Sequence, residues 1–291
     1  MSPEAQQRCD IEAQLRGYMN LMALDSLPPC SKGPHGTFQE RLEAVRAAGF
    51  TGVQFAERAT PEQLKICRAL NLEVAGSGRI NAPEDAGPLA ENFAGDGVRC
   101  ATLHVGWGLE DDSDAHRLIE SILQASSRWN IALYIETHRA TICQDMWRTV
   151  NFIRRFPEMR FNGDFSHWYT GLEMVYGGFD KKFEFIQPVL DRVGFIHGRI
   201  ASPGCIQVAI EREPVAEPIY VQHFRQLWTA CFRNFLKKAS PGDFICFTPE
   251  LLAADIYYAR TFQQVEESDR WEQSLLLKEM AEHCFQCAQS A

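Results

Sequence analysis

Eight short apolar runs alternate with amphipathic stretches along this chain, and few architectures accept that order. The β-like runs cover 16–23, 52–57, 73–78, 100–106, 131–137, 160–165, 193–200 and 243–248. Between them lie stretches with the spacing of a helix face: 38–48, 61–71, 114–128, 143–156, 181–192 and 218–238. Such alternation implies parallel strands joined by helical crossovers. The runs at 100–106 and 131–135 are apolar nearly throughout, as expected of parallel strands covered on both faces. Eight such units close into a (β/α)8 TIM barrel, an α/β fold that typically needs about 250 residues. The chain has 291 residues, and no composition shift or low-complexity segment divides it, so 1–291 reads as a single domain. A last stretch, 264–289, predicts an extra C-terminal helix that either closes the barrel or mediates association, and a homodimer is the expectation in the second case.

Local signals agree with this order. Thr37 with Glu40, and Thr60 with Gln63, have the spacing of capping boxes, and Pro61 takes the first helical position of the second. Two connections are long: 169–180 after the sixth run and 201–217 after the seventh. In a barrel both lie on the face formed by the C-terminal strand ends, where long loops tend to serve function. The chain is 45% hydrophobic and 23% charged, the balance of a soluble globular protein. Its formal charge of -9 argues against a nucleic-acid partner, because such binding draws on basic surface. The apolar stretch 17–24 is too short to span a bilayer, and nothing near the N-terminus has the layout of a signal peptide. No membrane contact and a cytoplasmic location are therefore expected. The ten cysteines fit that compartment as unpaired thiols. Cys284 and Cys287, next to His283, form a lone C-x-x-C, a weak zinc signal without a second pair.

Chemistry concentrates at the ends of the last four runs. Ile-Glu-Thr-His at 135–138, Gly-Asp-Phe-Ser-His at 163–167, Ile-His-Gly-Arg at 196–199 and Thr-Pro-Glu at 248–250 each put a metal-competent side chain at or just past a strand end. Taken singly, each has a plain structural explanation. Glu136 can pair with Arg139, Asp164 can cap a turn, His197 can be a satisfied core residue, and Glu250 can cap a helix. Together, at the same end of four successive strands, they can converge on one divalent ion. Three carboxylates and one imidazole suit Mn²⁺, Mg²⁺ or Co²⁺, with Zn²⁺ also open. His104 ends the fourth run beside Trp107, and Glu57 closes the second. Both are candidates for substrate contact, against a backbone-bonded histidine and a solvent ion pair. His138 and Arg139 follow Glu136, and the Arg139 fork can hold a carboxylate or phosphate. Trp107 and Trp168 can wall a sugar ring, and Gln207 can add a hydrogen bond from the long seventh loop.

In combination, Glu136, Asp164-x-x-His167, His197-x-Arg199 and Glu250 resemble the xylose-isomerase-like TIM barrel superfamily of sugar isomerases and epimerases, which also contains endonuclease IV. The resemblance spans essentially the whole chain. It is greatest to the sugar phosphate isomerase/epimerase group, with its ketose 3-epimerases and hydroxypyruvate isomerase. It implies that Glu136, Asp164, His197 and Glu250 bind one divalent metal ion and that His167 and Arg199 bind substrate oxygens. It also implies that Glu136 and Glu250 double as the catalytic acid/base pair. Elementary chemistry agrees: a metal chelated by a carbonyl and its neighbouring hydroxyl acidifies the C–H between them. Two facing carboxylates can then take the proton from one side and return it on the other. The expected activity is a metal-dependent isomerase or epimerase of a sugar, polyol or hydroxy-keto acid. No phosphate-cradling glycine motif follows the seventh or eighth run, so an unphosphorylated carbohydrate suits at least as well as a sugar phosphate.

Two rival readings share the ligand order. Inosose dehydratase and its relatives eliminate water from cyclic polyols and need an acid for the leaving hydroxyl, for which His104, His138 or His167 can serve. An endonuclease-IV-like nuclease needs a three-zinc cluster. Where the family nuclease has a D-x-H pair after strand seven, this chain reads Pro-Gly-Cys-Ile-Gln-Val, and the third run ends in Gly-Ser-Gly-Arg without a histidine.

Overall fold

In the computed structural model, which describes residues 13–290, eight parallel strands close in sequence order into one barrel. The N-terminal stretch 1–12, on which the signal-peptide reading turns, lies outside the described residues. The strands are β1 (Gln14–Asn20), β2 (Gly52–Gln54), β3 (Glu73–Ile80), β4 (Cys100–Val105), β5 (Ala132–Glu136), β6 (Phe161–Asn162), β7 (Val193–Gly198) and β8 (Phe244–Pro249). Each falls on one of the expected apolar runs. The helices outside them are α1 (Phe38–Ala47), α2 (Pro61–Ala69), α3 (Ala86–Asp96), α4 (Asp112–Trp129) and α5 (Met146–Arg155). Three short helices follow β6: α6 (Phe165–Gly171), α7 (Phe179–Phe185) and α8 (Gln187–Leu190). The ring ends with α9 (Ile219–Leu236) and α10 (Arg270–Gln289). The C-terminal segment forms α10, which packs on α9, β8 and β1, the strands whose pairing closes the barrel. No helix among the described residues is long and apolar enough to cross a membrane.

Both capping boxes form. The Glu40 N–H donates to Thr37 Oγ1 at 3.3 Å while the Thr37 N–H donates to Glu40 Oε2 at 2.8 Å. Thr60 and Gln63 repeat the exchange at 3.2 and 2.8 Å. Two helical expectations need correction. The helix α3 was not expected, because Gly87, Pro88 and Gly95 weaken its pattern. Pro88 falls in its first turn, where no N–H is needed, and Gly97 ends it in the left-handed conformation at φ 75°. The single helix expected over 181–192 is instead α7 and α8, since Pro188 cannot donate to the Glu184 carbonyl.

Side chains alternate across each strand, and this alternation builds the site. Tyr18, Ala75, Cys100, Tyr134, Phe195 and Cys246 pack together as one buried layer inside the barrel. The residues that follow them on β1, β4, β5, β7 and β8, namely Met19, Ala101, Ile135, Ile196 and Phe247, belong to the larger core beneath the helices. One step further the inward face is polar, with Asn20, Ser77, Thr102, Glu136, His197 and Thr248. Gly198 keeps this layer's backbone close to the core: a Cβ there would meet the Phe247 ring at 2.0 Å, and that ring is wedged edge-on against Trp228. Gly198→Ala is therefore expected to cost about 1–3 kcal/mol through overpacking, read as a lowered urea midpoint with unchanged slope.

Candidate metal centre

Strand register brings four chain segments to one point. Glu136 on β5 lies opposite Asn162 on β6, and His197 on β7 lies opposite Thr248 on β8. His197 Nδ1 is 3.3 Å from Glu136 Oε2 and 3.2 Å from Glu250 Oε1. One ligand atom from each of Glu136, Asp164, His197 and Glu250 lies within 4.8 Å of the others. The first three residues are buried, while the Glu250 side chain is 13% exposed. Glu136, His197 and Glu250 line a cavity of about 220 Å³ together with the polar Asn20, Ser77, Arg79, Thr102 and His104 and with Met22, Ala56 and Gly78.

Charge argues that a cation belongs here. Three carboxylates converge, and the one buried arginine among them is Arg199, whose Nη2 pairs with Asp164 Oδ2 and whose Nη1 lies 3.0 Å from Glu250 Oε2. With His197 neutral, as a ligand must be, that leaves two negative charges, which a divalent ion would balance. Glu136 Oε1 and His197 Nδ1 are also buried without a well-aligned hydrogen bond, each meeting only ion-pair approaches of 3.2–3.3 Å. Both are metal-ligand atoms left without good hydrogen-bond geometry, so the donor set fits a metal.

The titration of these groups follows from the same crowding. Burial alone would keep the Glu136 carboxyl protonated, but the His104 and His197 imidazoles hold it well below the usual carboxylate range. Burial pushes Asp164 up to about 7 in spite of the Arg199 cation. Burial also opposes a charged His197, yet the Glu250 and Glu136 carboxylates outweigh it and raise the ring to about 9. In the metal-free protein, a proton on Nδ1 thus sits between the two glutamates.

A polar layer beneath orients the ligands. His197 Nε2 lies 3.1 Å from Gln54 Oε1, which also accepts from Asn20 Nδ2 at 3.2 Å. Gln54 Nε2 donates to Ser77 Oγ at 3.0 Å and to Thr102 Oγ1 at 3.2 Å. The side-chain amide of Gln54 thus holds the ring by Nε2, the amide nitrogen also lying 3.0 Å away, and Nδ1 faces the carboxylates, where loss of its proton would free a lone pair for a metal. Asn162 Nδ2 donates to Glu136 Oε2 at 3.1 Å, and its Oδ1 accepts from the His197 N–H at 3.0 Å. Sequence reasoning missed Asn20, Gln54, Thr102 and Asn162. The signal that would have found Asn20 and Thr102 is a polar residue two places beyond a buried inward one.

Two arginines decide which nitrogens of the other histidines carry protons, because a guanidinium only donates. Arg79 Nη2 lies 3.2 Å from His104 Nδ1, and Arg199 Nη2 lies 2.9 Å from His167 Nε2. Each of those nitrogens is therefore an acceptor, and the ring proton is on the other one. The His104 Nε2–H faces Glu136 Oε1 at 3.3 Å. His104, Glu136 and His138 form a second group of close-set metal-competent atoms. Between His104 and His167 stands the His138 ring, with centroids 4.2 and 3.8 Å away. Burial lowers His138 to about 4 and takes His167 well below its ordinary value, so both rings are neutral at pH 7.

The remaining sequence candidates are dispersed. Arg199 and His167, expected on substrate oxygens, are buried beneath the carboxylates. Glu57 is exposed in a neighbouring groove, beside Arg58. Arg139 is exposed and leans toward the Tyr258 ring at 5.4 Å. Trp107 is 55% exposed with the Arg79 guanidinium 3.9 Å above its ring. Trp168 is core, its Nε1–H donating to the Cys143 carbonyl at 2.9 Å. Gln207 exchanges hydrogen bonds with Leu252 at 3.0 and 2.9 Å, which ties the loop after β7 to the loop after β8. Cys284 is buried, and Cys287 is exposed on the same helix with only His283 beside it.

No protein-family model and no curated protein sequence matches the chain. Solved structures do. A xylose isomerase-like TIM barrel protein from Mycobacterium smegmatis, in complex with magnesium, is 14% identical with a TM-score of 0.56 over 97% of each chain. A xylose isomerase domain protein from Planctomyces limnophilus is 13% identical with a TM-score of 0.55, over 97% of this chain and all of that one. The probable 3-DHS dehydratase AsbF of petrobactin synthesis, from Bacillus anthracis, is 14% identical with a TM-score of 0.55, over 92% of this chain and 97% of its own. What is shared at these identities is the fold.

Proposed function

We propose that this chain, which has the xylose isomerase-like TIM barrel fold, is a metal-dependent enzyme that moves a proton beside the carbonyl of a small hydroxylated substrate, as an isomerase or epimerase. The reading is carried by the convergence of Glu136, Asp164, His197 and Glu250, three of which, Glu136, His197 and Glu250, line one cavity. A divalent ion held by those four residues would supply a Lewis acid that polarises the carbonyl and acidifies the adjacent C–H. Glu136, ionised and buried, accepts the proton. Glu250, reaching in from β8 and partly exposed to the cavity, returns one on the other side. Gln54 and Asn162 hold His197 and Glu136 in place, and Arg199 fixes Asp164 and Glu250. The cavity, about 220 Å³, is smaller than the roughly 300–1,000 Å³ typical of drug-sized ligand sites, which supports a substrate of a few carbons.

A second reading, elimination of water, is favoured by His138. Its neutral ring is near the site yet outside the four-ligand set, so it can act as a base while both glutamates remain ligands. Incubating the Mn²⁺-loaded protein with ketoses and inososes in D₂O separates the two. Isomerisation or epimerisation gives products of unchanged formula that carry solvent deuterium, and dehydration gives products that have lost water. Glu136→Gln is expected to abolish either outcome. If protein shown to hold its metal gave neither exchange nor water loss with any of these substrates, the enzymatic reading would fail.

A further inference from the structure

We infer that the substrate of this cavity carries a carboxylate, and that Arg79 at the end of β3 receives it. The inference rests on the metal-centre reading above and adds the charge of the substrate to it. Arg79 is the only arginine or lysine on the cavity wall. Its Nη1 donates to the Gly106 carbonyl at 2.7 Å and its Nη2 to His104 Nδ1 at 3.2 Å, while Trp107 covers one face of the guanidinium. Among the described residues no carboxylate lies within the 4.0 Å of an ion pair with it. Glu110, on the next loop, spends its oxygens on the backbone N–H groups of Trp107, Gly108 and Leu109 at 2.8, 2.9 and 3.1 Å. The other arginines drawn into the protein at this end of the barrel are compensated: Arg199 by Asp164 and Glu250, Arg270 by Glu266.

A guanidinium half withdrawn from water without a carboxylate in ion-pair contact is costly, and burial lowers the pKa of Arg79 although the Glu136 and Glu110 carboxylates oppose it from a distance. Its remaining N–H groups are charged donors of the kind that a carboxylate accepts from. The cavity is thus polarised. Arg79 supplies a cation to its wall, and Glu136 and Glu250 supply carboxylates. A hydroxy acid spans that polarity, with its carboxylate at β3 and its carbonyl or hydroxyl oxygens toward Glu136 and Glu250. A phosphate is less well served, since a lone arginine without a nest of backbone N–H groups meets few of its oxygens.

The test is calorimetric titration of the protein, with and without Mn²⁺, using erythronate and its uncharged counterpart erythritol as probes. Wild type is expected to prefer erythronate. Arg79→Gln should weaken erythronate about 10- to 100-fold, the range for a hydrogen-bonded charge, and leave erythritol unchanged. Arg79→Lys should keep part of the preference. Circular-dichroism melting and Mn²⁺ affinity of the variants, matched to wild type, establish that the cavity is intact. An equal loss for both probes would make Arg79 a shaping residue only. Undiminished erythronate binding in Arg79→Gln would put the carboxylate on the metal, and no erythronate binding at all would remove the premise. An Arg79-dependent gain for erythritol 4-phosphate but not for erythronate would replace carboxylate by phosphate. Each of these four results overturns the inference. Mn²⁺ affinity insensitive to Glu250→Gln would instead sink the metal-centre reading, while an Arg79-dependent preference for erythronate without Mn²⁺ would survive it.

Discussion

Arg199→Met is expected to destabilise the metal-free protein by about 3–5 kcal/mol, the cost of leaving a buried charge without its partner. The guanidinium is fully buried and touches Asp164, Glu250 and Ser166, the last through Nε at 3.0 Å from Oγ. Methionine fills much of the volume, so packing loss is small and the effect isolates charge. Three carboxylates then face one another with only a protonated His197 among them. Urea unfolding in the presence of EDTA reads the loss directly. Saturating Mn²⁺ should restore more stability to Arg199→Met than it adds to wild type, because the ion then meets one more uncompensated charge. At a hundred times its Kd a ligand adds about 2.7 kcal/mol, enough to recover much of the deficit. Wild-type stability for Arg199→Met in EDTA would show that protons on Asp164 and Glu250 already neutralise the cluster. Arg199→Lys should fall between, since one ammonium cannot bridge both carboxylates.

The same residue shows where sequence reading stops. All eight strands were legible because each is a short run of apolar residues bounded by polar ones. The candidate ligands Glu136, Asp164, His197 and Glu250 were legible because charged or imidazole groups at the ends of apolar strands are uncommon. Depth was not. Arg199 has the chemistry of a substrate-binding group, but it lies one residue past β7 and turns beneath the carboxylates, a direction no local pattern encodes. Asn20, Gln54, Thr102 and Asn162 were missed for another reason. Uncharged polar residues at strand ends are ordinary, and these acquire a role only through the register of neighbouring strands, with Asn20 opposite Gln54 and Glu136 opposite Asn162. Arg79 sat in a segment noted only for lacking a histidine, while its significance depends on having no carboxylate in ion-pair contact. The hairpin of Thr261–Phe262 with Val265–Glu266 had no signal at all, since Gln263 and Gln264 adopt positive φ at its turn without the usual glycine or asparagine.

Mn²⁺ affinity is expected to rise about tenfold per pH unit between pH 7 and 9 and to level off above, because binding must displace one proton from His197. In the metal-free protein Glu136 and Glu250 hold that proton on Nδ1, the atom that faces the proposed ion. Below about 7, Asp164 retains a proton as well, and the dependence should steepen toward two protons per ion. Stability moves the opposite way. His197 titrates at about 9 in the fold against an ordinary 6.5, so its contribution is complete below 6.5 and is lost as pH rises through 9. Asp164, at about 7 against 3.8, loses its contribution between those values and is indifferent above them. The metal-free Tm should therefore decline from pH 6.5 to 9 while the stabilisation gained on adding Mn²⁺ grows. Calorimetric titration at pH 8, in two buffers of different ionisation enthalpy, should count close to one proton released per ion. In His197→Gln that count should fall toward zero and the affinity should lose its slope. A slope of zero in wild type between pH 7 and 9 would mean that the ion does not compete for Nδ1, and the centre would have to be redrawn without His197.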